Sequence, residues 1–546
     1  MARETASERD AIGVALSGGG HRATAYALGV LVYLVDSGLN TRVRTVASVS
    51  GGSILNAFIA VLRSHDGTAR SFRSFAGFGS FDAEASRLAS LLAGSRIAWF
   101  ATVAAAALVE VAIVVLFLAG AIHLSTALLV LATALVALSV GSGPRSGGSL
   151  WGWWGTWIYC SGIAWLGSAV AMGVGATRFK GIWLAIGIAL CGWLVQQRHV
   201  VAEHAYDRTV CRPPLPPHRR WWARRMRLED MDADVRHVFC ATEMHSGRHA
   251  YFSHDVVYAR GFGLGSPAGL PIATAVQASA NFPGGFPIRP LRASRFGFSL
   301  TDRFEEAVEQ GIKQGRDILT TAPDLVEASA ANRFVPIRPL PRWLMLSDGG
   351  VFDNLAVDWF VDSEQRRRRF LMRLNWDWDP ESSWWHEHGT NTRDEAILDR
   401  LRDSSGCMIV VNAGITSHWQ RTSSAQISVP LIGEVIGLSQ ISSTMYNNYT
   451  KERVRAVADH VVVELAGLQR VVPTTLLPLG RKVTADLLRA GYHDANEVAY
   501  RRFSHPYLQT SYRSEDFEAL ASGRAPPRAR DVMDVVAPSS STEAPV

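Results

Sequence analysis

Lysine is almost absent from this chain of 546 residues. Only four lysines occur among the 55 basic residues, so nearly all of the positive charge is carried by arginine. The formal net charge is +6, and the planar guanidinium suits phosphate oxygens because it binds them with two parallel hydrogen bonds. No nucleic-acid-binding motif accompanies this charge, so we expect no nucleic-acid partner.

The sequence also has few cysteines and lacks a secretory signal. Its five cysteines are scattered and include no CxxC pair, which argues against a disulfide framework and against a zinc site. No HExxH spacing occurs either, so no metal is predicted. The first ten residues are polar and charged and lack the apolar core of a signal peptide. A reducing, cytoplasmic setting is therefore expected for the soluble part.

A long apolar block separates two more ordinary halves of the chain. Residues 98–119 contain a single carboxylate, and residues 121–140 contain no charged side chain. About 20 apolar residues are enough to cross a bilayer. Residues 150–174 and 181–195 are apolar as well, so four transmembrane helices are predicted within 97–197. Helices buried in a protein core are the alternative interpretation.

Arginines flank this block on both sides. Arg87 and Arg96 precede it, and seven arginines follow it in the 208–227 cluster. Positive charge marks the cytoplasmic side of a membrane protein, so both flanks are predicted to be cytoplasmic and the number of spans to be even. The sequence thus predicts a multi-pass integral membrane protein whose 208–227 cluster contacts anionic lipid headgroups. It makes no prediction about the oligomeric state.

A glycine-rich turn opens the folded part of the chain. The apolar run 11–16 predicts a buried strand, residues 23–37 predict a helix, and Ser17-Gly-Gly-Gly-His-Arg22 lies between them. Backbone N–H groups converge in such a turn, and the helix N-terminus adds partial positive charge, so the turn can hold an anion. Dinucleotide-binding turns share this pattern, which leaves a nucleotide- or phosphate-binding module open.

A second motif follows the next apolar run. Ser48-Val-Ser50-Gly-Gly52 stands between the strand-like run 45–49 and a predicted helix at 53–64. It is similar to the G-x-S-x-G nucleophile elbow, with Ser48 in place of the first glycine. An elbow needs small neighbours because its serine lies on a strained strand-to-helix turn with the hydroxyl exposed. An ordinary helix-capping serine is the alternative for Ser50.

A third motif lies far downstream. The apolar run 344–347 predicts a strand that ends in Asp348-Gly349-Gly350, which places a carboxylate on a sharp turn. A turn-forming aspartate would produce the same pattern. The order of the three motifs, glycine-rich turn, serine elbow and Asp-Gly-Gly, is more informative than any one of them.

This ordered set resembles the patatin-like phospholipase family. Residues 238–243 and 272–287 also resemble a strand and a helix with a proline-rich turn in that family. The resemblance implies an α/β, patatin-like three-layer hydrolase fold with a central, mostly parallel sheet, interrupted by the helical transmembrane segment. The catalytic domain would then comprise residues 11–96 and 198–520, and residues 521–546 would form a disordered tail.

The resemblance also implies a chemistry: a Ser–Asp dyad without histidine that needs no cofactor. Ser50 would be the nucleophile and Asp348 the base, with an oxyanion hole formed by Gly18, Gly19, Gly20 and Arg22. The elbow and the Asp-Gly-Gly motif would be completed by Ser48, Gly51, Gly52, Gly349 and Gly350. The implied substrate is an acyl ester of a membrane lipid, attacked from the cytoplasmic side. An inactive membrane scaffold and a non-lipid esterase remain as alternatives.

Overall fold

The computed structural model describes the chain in sections. They are, with short internal gaps, residues 11–63, 68–94, 198–212, 224–298, 341–363, 376–387, 403–414, 460–465, 478–508, 512–526 and 535–536. The predicted membrane block at 97–196 lies outside them. Within these sections, no helix is both long and apolar enough to cross a bilayer.

Ten of the described strands form one sheet. In chain order the described strands are β1 (Ile12–Leu16), β2 (Val43–Ser48), β3 (Arg236–Glu243), β4 (Arg248–Phe252), β5 (Val257–Ala259), β6 (Gly263–Gly265), β7 (Arg289–Arg292), β8 (Trp343–Ser347), β9 (Trp376–Asp379), β10 (Trp384–Glu387), β11 (Cys407–Asn412), β12 (His460–Glu464), β13 (Tyr507–Leu508) and β14 (Val535–Val536). The helices are α1 (Gly20–Asp36), α2 (Gly51–Ala60), α3 (Asp82–Ala93), α4 (Arg198–Thr209), α5 (Ile272–Ser279), α6 (Asp358–Val361), α7 (Arg481–Phe503) and α8 (Ser514–Ala521).

The centre of the sheet is parallel and one side of it is antiparallel. Strands β12, β11, β1, β2 and β3 pair in parallel in that order, and β4, β5 and β6 continue from β3 in antiparallel pairing. Strands buried on both faces favour uninterrupted apolar runs, which is what the sequence shows at 11–16 and 407–411. The prediction of a mixed α/β fold around a parallel central sheet is confirmed.

Helix α1 is buried along its whole length between the sheet and α7. Its side chains are apolar on nearly all sides because no face meets water. The two helices cross at glycines: a Cβ on Gly29 would lie 2.1 Å from the carbonyl oxygen of Leu488, and one on Gly491 would lie 2.0 Å from that of Tyr26. Only glycine permits this backbone approach, which fixes α7, near the end of the chain, against the first helix.

Strands β2 and β8 end facing each other along one edge of β3. The opposite edge of β3 is occupied by β4, which pairs with Phe239–Glu243. On the edge opposite β4, β2 runs parallel to β3, and its pairing ends at Ser48 with Phe239. Strand β8 runs antiparallel to β3 on the same edge and pairs Ser347 with Thr242. The two strands therefore point toward each other, and the residues that follow them meet.

The helices on either side of the predicted membrane block pack into one core. Leu88 and Leu92 of α3 and Tyr206 of α4 belong to the same buried cluster.

Near the C-terminus, β14 pairs with β13. Two residues of the tail at 521–546, which was expected to be disordered, therefore form a short strand by backbone hydrogen bonding.

Candidate active site

Ser50 occupies the turn between β2 and α2 in a strained conformation. Its φ of 49° and ψ of −119° are unusual for a residue with a side chain. Its N–H donates to both the carbonyl oxygen and the hydroxyl of Ser279 at 3.1 Å, which holds the turn against the end of α5. Ser50 remains partly exposed although its neighbours are buried. A serine strained and presented in this way matches a nucleophile elbow.

A buried polar network beneath the elbow accommodates Ser48, the residue that departs from the elbow pattern. The Ser48 hydroxyl donates to the Val238 carbonyl at 3.2 Å and accepts from Ser53 at 3.0 Å and from the Asn56 amide at 2.8 Å. Ser279 continues the network, 2.8 Å from the Ser53 hydroxyl. Because every partner is satisfied, Ser48 ties β2 to α2 and β3 where a glycine would leave Asn56 and Ser53 without this acceptor.

The glycine-rich turn lies directly against the elbow. A Cβ on Gly51 would lie 2.1 Å from the Gly20 carbonyl oxygen, and a Cβ on Gly18 would lie 3.2 Å from the Cβ of Ser50. The Thr24 hydroxyl donates to the Gly51 carbonyl at 2.8 Å and secures the contact. Helix α1 and helix α2 thus begin side by side, with Ser50 at the junction.

Of the three glycines expected to stabilise an oxyanion, Gly18 is committed elsewhere. Its N–H donates to the carbonyl oxygen of Asn354 at 2.9 Å. This hydrogen bond joins the glycine-rich turn to the turn after β8. Gly19 and Gly20 follow at the start of α1, where N–H groups have no partner within the helix. Their φ values are 137° and 60°. The candidate oxyanion donors therefore narrow to these two residues.

Arg22 brings a positive charge to the base of this turn. It is buried, and one of its guanidinium nitrogens lies 3.0 Å from where a Cβ on Gly19 would be. Burial lowers the pKa of Arg22 to about 10, so the side chain stays protonated at neutral pH. A buried cation beneath Gly19 favours negative charge developing above it.

Asp348 follows β8, the strand that ends opposite β2, and three of its groups are hydrogen-bonded: the N–H, the carbonyl oxygen and Oδ1. Its N–H donates to the Asn281 carbonyl at 2.9 Å, and its own carbonyl accepts from the Thr242 hydroxyl at 2.7 Å. Its Oδ1 accepts from the Gly350 N–H at 2.7 Å. Oδ2 is buried with no hydrogen bond of regular geometry, which leaves it open to receive a proton.

The electrostatics of Asp348 suit a general base. Burial raises the pKa of Asp348 to about 6, although the Gly350 N–H, the Ser50 hydroxyl and the charge of His249 each act to lower it. At neutral pH the carboxylate is therefore ionised yet more basic than an ordinary aspartate. The Ser50 hydroxyl is close enough to this carboxyl to lower its pKa, and the role of the two residues as a catalytic dyad stays a prediction.

Two residues at the site have no counterpart in the sequence analysis. Asn354 is one: its side-chain oxygen would lie 2.1 Å from a Cβ on Gly18 and 2.6 Å from one on Gly350, so it fits between the two turns. His249 on β4 is the other. It is buried, its ring lies edge-on to Phe352 with centroids 4.8 Å apart, and its Nε2 is 3.9 Å from the Asp353 carboxylate. The Asp348-Gly-Gly-x-x-Asp-Asn spacing is the signal that could have found Asn354; His249 gives none.

The described arginines of the 208–227 cluster largely have carboxylate partners in the chain. Arg225 lies 3.3 Å from Glu203 and Arg227 lies 3.2 Å from Glu229. Arg224 pairs with Asp230 at 2.5 Å, and Arg212 pairs with the buried Asp207. The contact between Arg225 and Glu203 joins α4 to the segment before β3. Contact of the cluster with lipid headgroups stays a prediction.

The comparisons with known proteins add little to this geometry. No protein-family model matches the chain, and no curated protein matches it. Among solved structures, the crystal structure of VipD from Legionella pneumophila is similar, with 12% sequence identity and a TM-score of 0.25, over 90% of this chain and 67% of that chain. A similarity at this level does not assign an activity.

Among the described residues, no group of three or more metal-binding side chains could hold an ion.

Proposed function

We propose that this protein is a serine acyl hydrolase that cleaves lipid acyl esters with the dyad Ser50 and Asp348, on a patatin-like fold. The observation that carries the proposal is the position of Ser50, which follows β2 in a strained conformation and faces Asp348 after β8. Asp348 is buried, and its pKa is raised. A helix-capping serine would need neither the strain nor the carboxylate. The glycine turn packed on Gly51 supplies the third element that ester hydrolysis requires.

The residues suggest a two-step reaction. Asp348 takes the Ser50 proton as the hydroxyl attacks the ester carbonyl, and the N–H groups of Gly19 and Gly20 stabilise the oxyanion. The leaving alcohol receives the proton from Asp348, leaving an acyl-enzyme. Asp348 then takes a proton from a water molecule as that water attacks the acyl-enzyme, and returns the proton to Ser50 as the fatty acid leaves. Loss of one oxyanion donor in comparable sites costs about 3–4 kcal/mol of transition-state stabilisation.

The position of the hydrophobic block supports a membrane location for this activity. Residues 97–196 are inserted between Ser50 and Asp348, and the helices on either side share one core. Both flanks must therefore lie on the same side of any bilayer the block crosses, which requires an even number of spans. A multi-pass anchor with the dyad facing the cytoplasm would keep it near its lipid substrate.

The test is covalent labelling of the full-length protein with a fluorophosphonate, followed by mass-spectrometric profiling of a lipid panel. Wild type should be labelled at Ser50 and should release fatty acid, whereas Ser50→Ala should do neither. Asp348→Asn should lose hydrolysis without unfolding. Ser90→Ala and the exposed Asp486→Asn are matched controls, since both lie on helices away from the dyad. Hydrolysis by Ser50→Ala would refute the proposal, and labelling with hydrolysis of soluble esters alone would indicate a non-lipid esterase.

A further inference from the structure

The exposed large apolar side chains of the described residues lie along β8 and around the turn that holds Asp348. Among the described residues, the large hydrophobic side chains that are exposed all lie on three segments that adjoin β8 or contain it: Met244, Phe282, Ile288, Trp343 and Val351. Scattered exposed apolar residues are ordinary, but their collection in one place marks an interaction surface. We name this set the apolar rim.

Hydrogen bonds connect the rim into one strip. The N–H of Met244 donates to the carbonyl of Met345 at 2.8 Å, joining the end of β3 to β8. The Asp348 N–H donates to the carbonyl of Asn281, the neighbour of Phe282, and the Val351 N–H donates to the Asp348 carbonyl at 3.1 Å. The rim therefore runs along β8 and reaches the dyad.

The antiparallel pair of β7 and β8 adds positive charge to this strip. Its register pairs Arg292 with Trp343 and Pro290 with Met345, so these residues share one face, while Leu291 and Leu344 lie buried on the other. The Arg292 guanidinium lies 5.5 Å from the centre of the Trp343 ring. Tryptophan beside arginine is a typical composition for a membrane interface, because the ring enters the headgroup layer while the guanidinium meets phosphate.

Among the described residues, the exposed charge around the rim has one sign. Residues 281–298 and 341–352 contain no acidic residue except the buried Asp348, and Glu243, which precedes Met244, is buried as well. Four exposed arginines have no carboxylate partner within the described residues: Arg292, Arg295 and Arg342 in these segments, and Arg248 of β4, whose guanidinium lies over the Phe352 ring. The described arginines of the 208–227 cluster, in contrast, are mostly paired within the chain. Charge complementarity thus selects an anionic partner for the rim.

We propose that the apolar rim and its arginines form a docking surface for an anionic lipid bilayer. Docking would place the mouth of the dyad at the headgroup layer, where an acyl ester can reach Ser50 without crossing water. The purpose of the surface rests on the proposed function, but its existence rests on exposure and charge alone. A second copy of this chain is the competing occupant.

The test reads the position of Trp343 rather than activity. Full-length protein is reconstituted in nanodiscs of phosphatidylcholine, or of phosphatidylcholine mixed with phosphatidylglycerol, with and without brominated acyl chains. The difference in tryptophan emission between wild type and Trp343→Phe isolates Trp343. We expect brominated chains to quench this emission most in the anionic discs and less at high salt. Emission of Trp343 that no brominated disc quenches would overturn the proposal.

Charge variants test the anionic preference. Arg292→Gln and Arg342→Gln should each lower the ratio of docked to undocked protein, taken from the quenched fraction, by about fivefold, as expected for about 1 kcal/mol per arginine. Arg44→Gln, exposed at the opposite end of β2, should leave the ratio unchanged. Equal ratios in all four proteins would overturn the anionic preference and with it the proposal.

Two further outcomes separate the alternatives. Unquenched Trp343 together with a smaller particle mass for Trp343→Ser in detergent would assign the rim to a dimer interface and refute bilayer docking. Quenching of Trp343 in a protein whose Ser50 neither reacts with fluorophosphonate nor hydrolyses any ester would leave the docking surface standing and remove the proposed function.

Discussion

The carbonyl oxygen of Gly20 lies against Gly51 so closely that a Cβ on Gly51 would come within 2.1 Å of it. This contact joins the glycine-rich turn to the serine elbow, and both helices begin there. The relative position of the proposed nucleophile and the proposed oxyanion donors therefore depends on direct contact between two backbones, with no side chain between them.

Replacing Gly51 with alanine should disable the site. The methyl group must push the two turns apart, which we expect to cost about 1–3 kcal/mol of unfolding free energy and to slow Ser50 labelling at least tenfold. Chemical denaturation and fluorophosphonate kinetics measure the two effects. Gly38→Ala is the control: it has positive φ but no atom within 4 Å, so it should lower stability while leaving the labelling rate intact. Equal labelling rates in both variants would contradict the contact as described.

The pH dependence of hydrolysis should follow Asp348. Burial raises the pKa of this carboxyl to about 6, and only the ionised form can accept the Ser50 proton. The rate at low substrate concentration should therefore fall below about pH 6. His249→Gln removes a charge that lowers the pKa of Asp348, so the fall in rate on the acidic side should move to higher pH. If the rate falls at the same pH in His249→Gln as in wild type, the histidine only packs against Phe352.

The same carboxyl should make stability depend on pH in the opposite sense to function. Its folded pKa lies above its ordinary value of 3.8, so the folded state binds the proton more tightly than the unfolded state. The stability gained from this proton is present at pH values below about 3.8 and is lost as pH rises through about 6. Asp348→Asn should therefore gain unfolding free energy relative to wild type at pH 8 compared with pH 4, as measured by urea denaturation. A constant difference across this range would contradict the raised pKa.

Restoring the elbow pattern at Ser48 should harm the protein. Ser48→Gly removes a buried hydroxyl that bonds Val238, Ser53 and Asn56, and the loss of these three hydrogen bonds should cost about 1–3 kcal/mol of unfolding free energy. Ser50 should still react with fluorophosphonate, because its own N–H remains held by Ser279. A stability equal to wild type in thermal and chemical denaturation would indicate that the network is not important.

The part of the chain that carries Ser50 and Asp348 should fold without the hydrophobic block. Helices α3 and α4 share one core, so replacing residues 97–196 with a long Gly/Ser linker should keep Ser50 reactive toward fluorophosphonate. The variant should lose tight membrane association measured by alkaline extraction. Loss of Ser50 reactivity in a chain that stays folded by circular dichroism would show that the block contributes to the site.

The sequence by itself determined the class of the fold and supplied the two members of the proposed dyad. Apolar runs followed by Ser17–Gly20, Ser48–Gly52 and Asp348–Gly350 predicted strands ending in sharp turns, and the structure has them at β1, β2 and β8. Such motifs are readable because a turn at a strand's end imposes strong local limits on residue size and backbone angle. The limits act over a few residues, which is the range that a sequence pattern can show.

Only the tertiary structure decided how these turns meet. The antiparallel return of β8 along the edge of β3, which brings Asp348 to Ser50, depends on pairing between distant strands. The capture of the Gly18 N–H by Asn354, the network that satisfies Ser48 and the collection of exposed apolar residues beside the dyad have the same origin. Each arises from packing between segments far apart in the chain, where the partner of a side chain is set by the fold and leaves no local pattern.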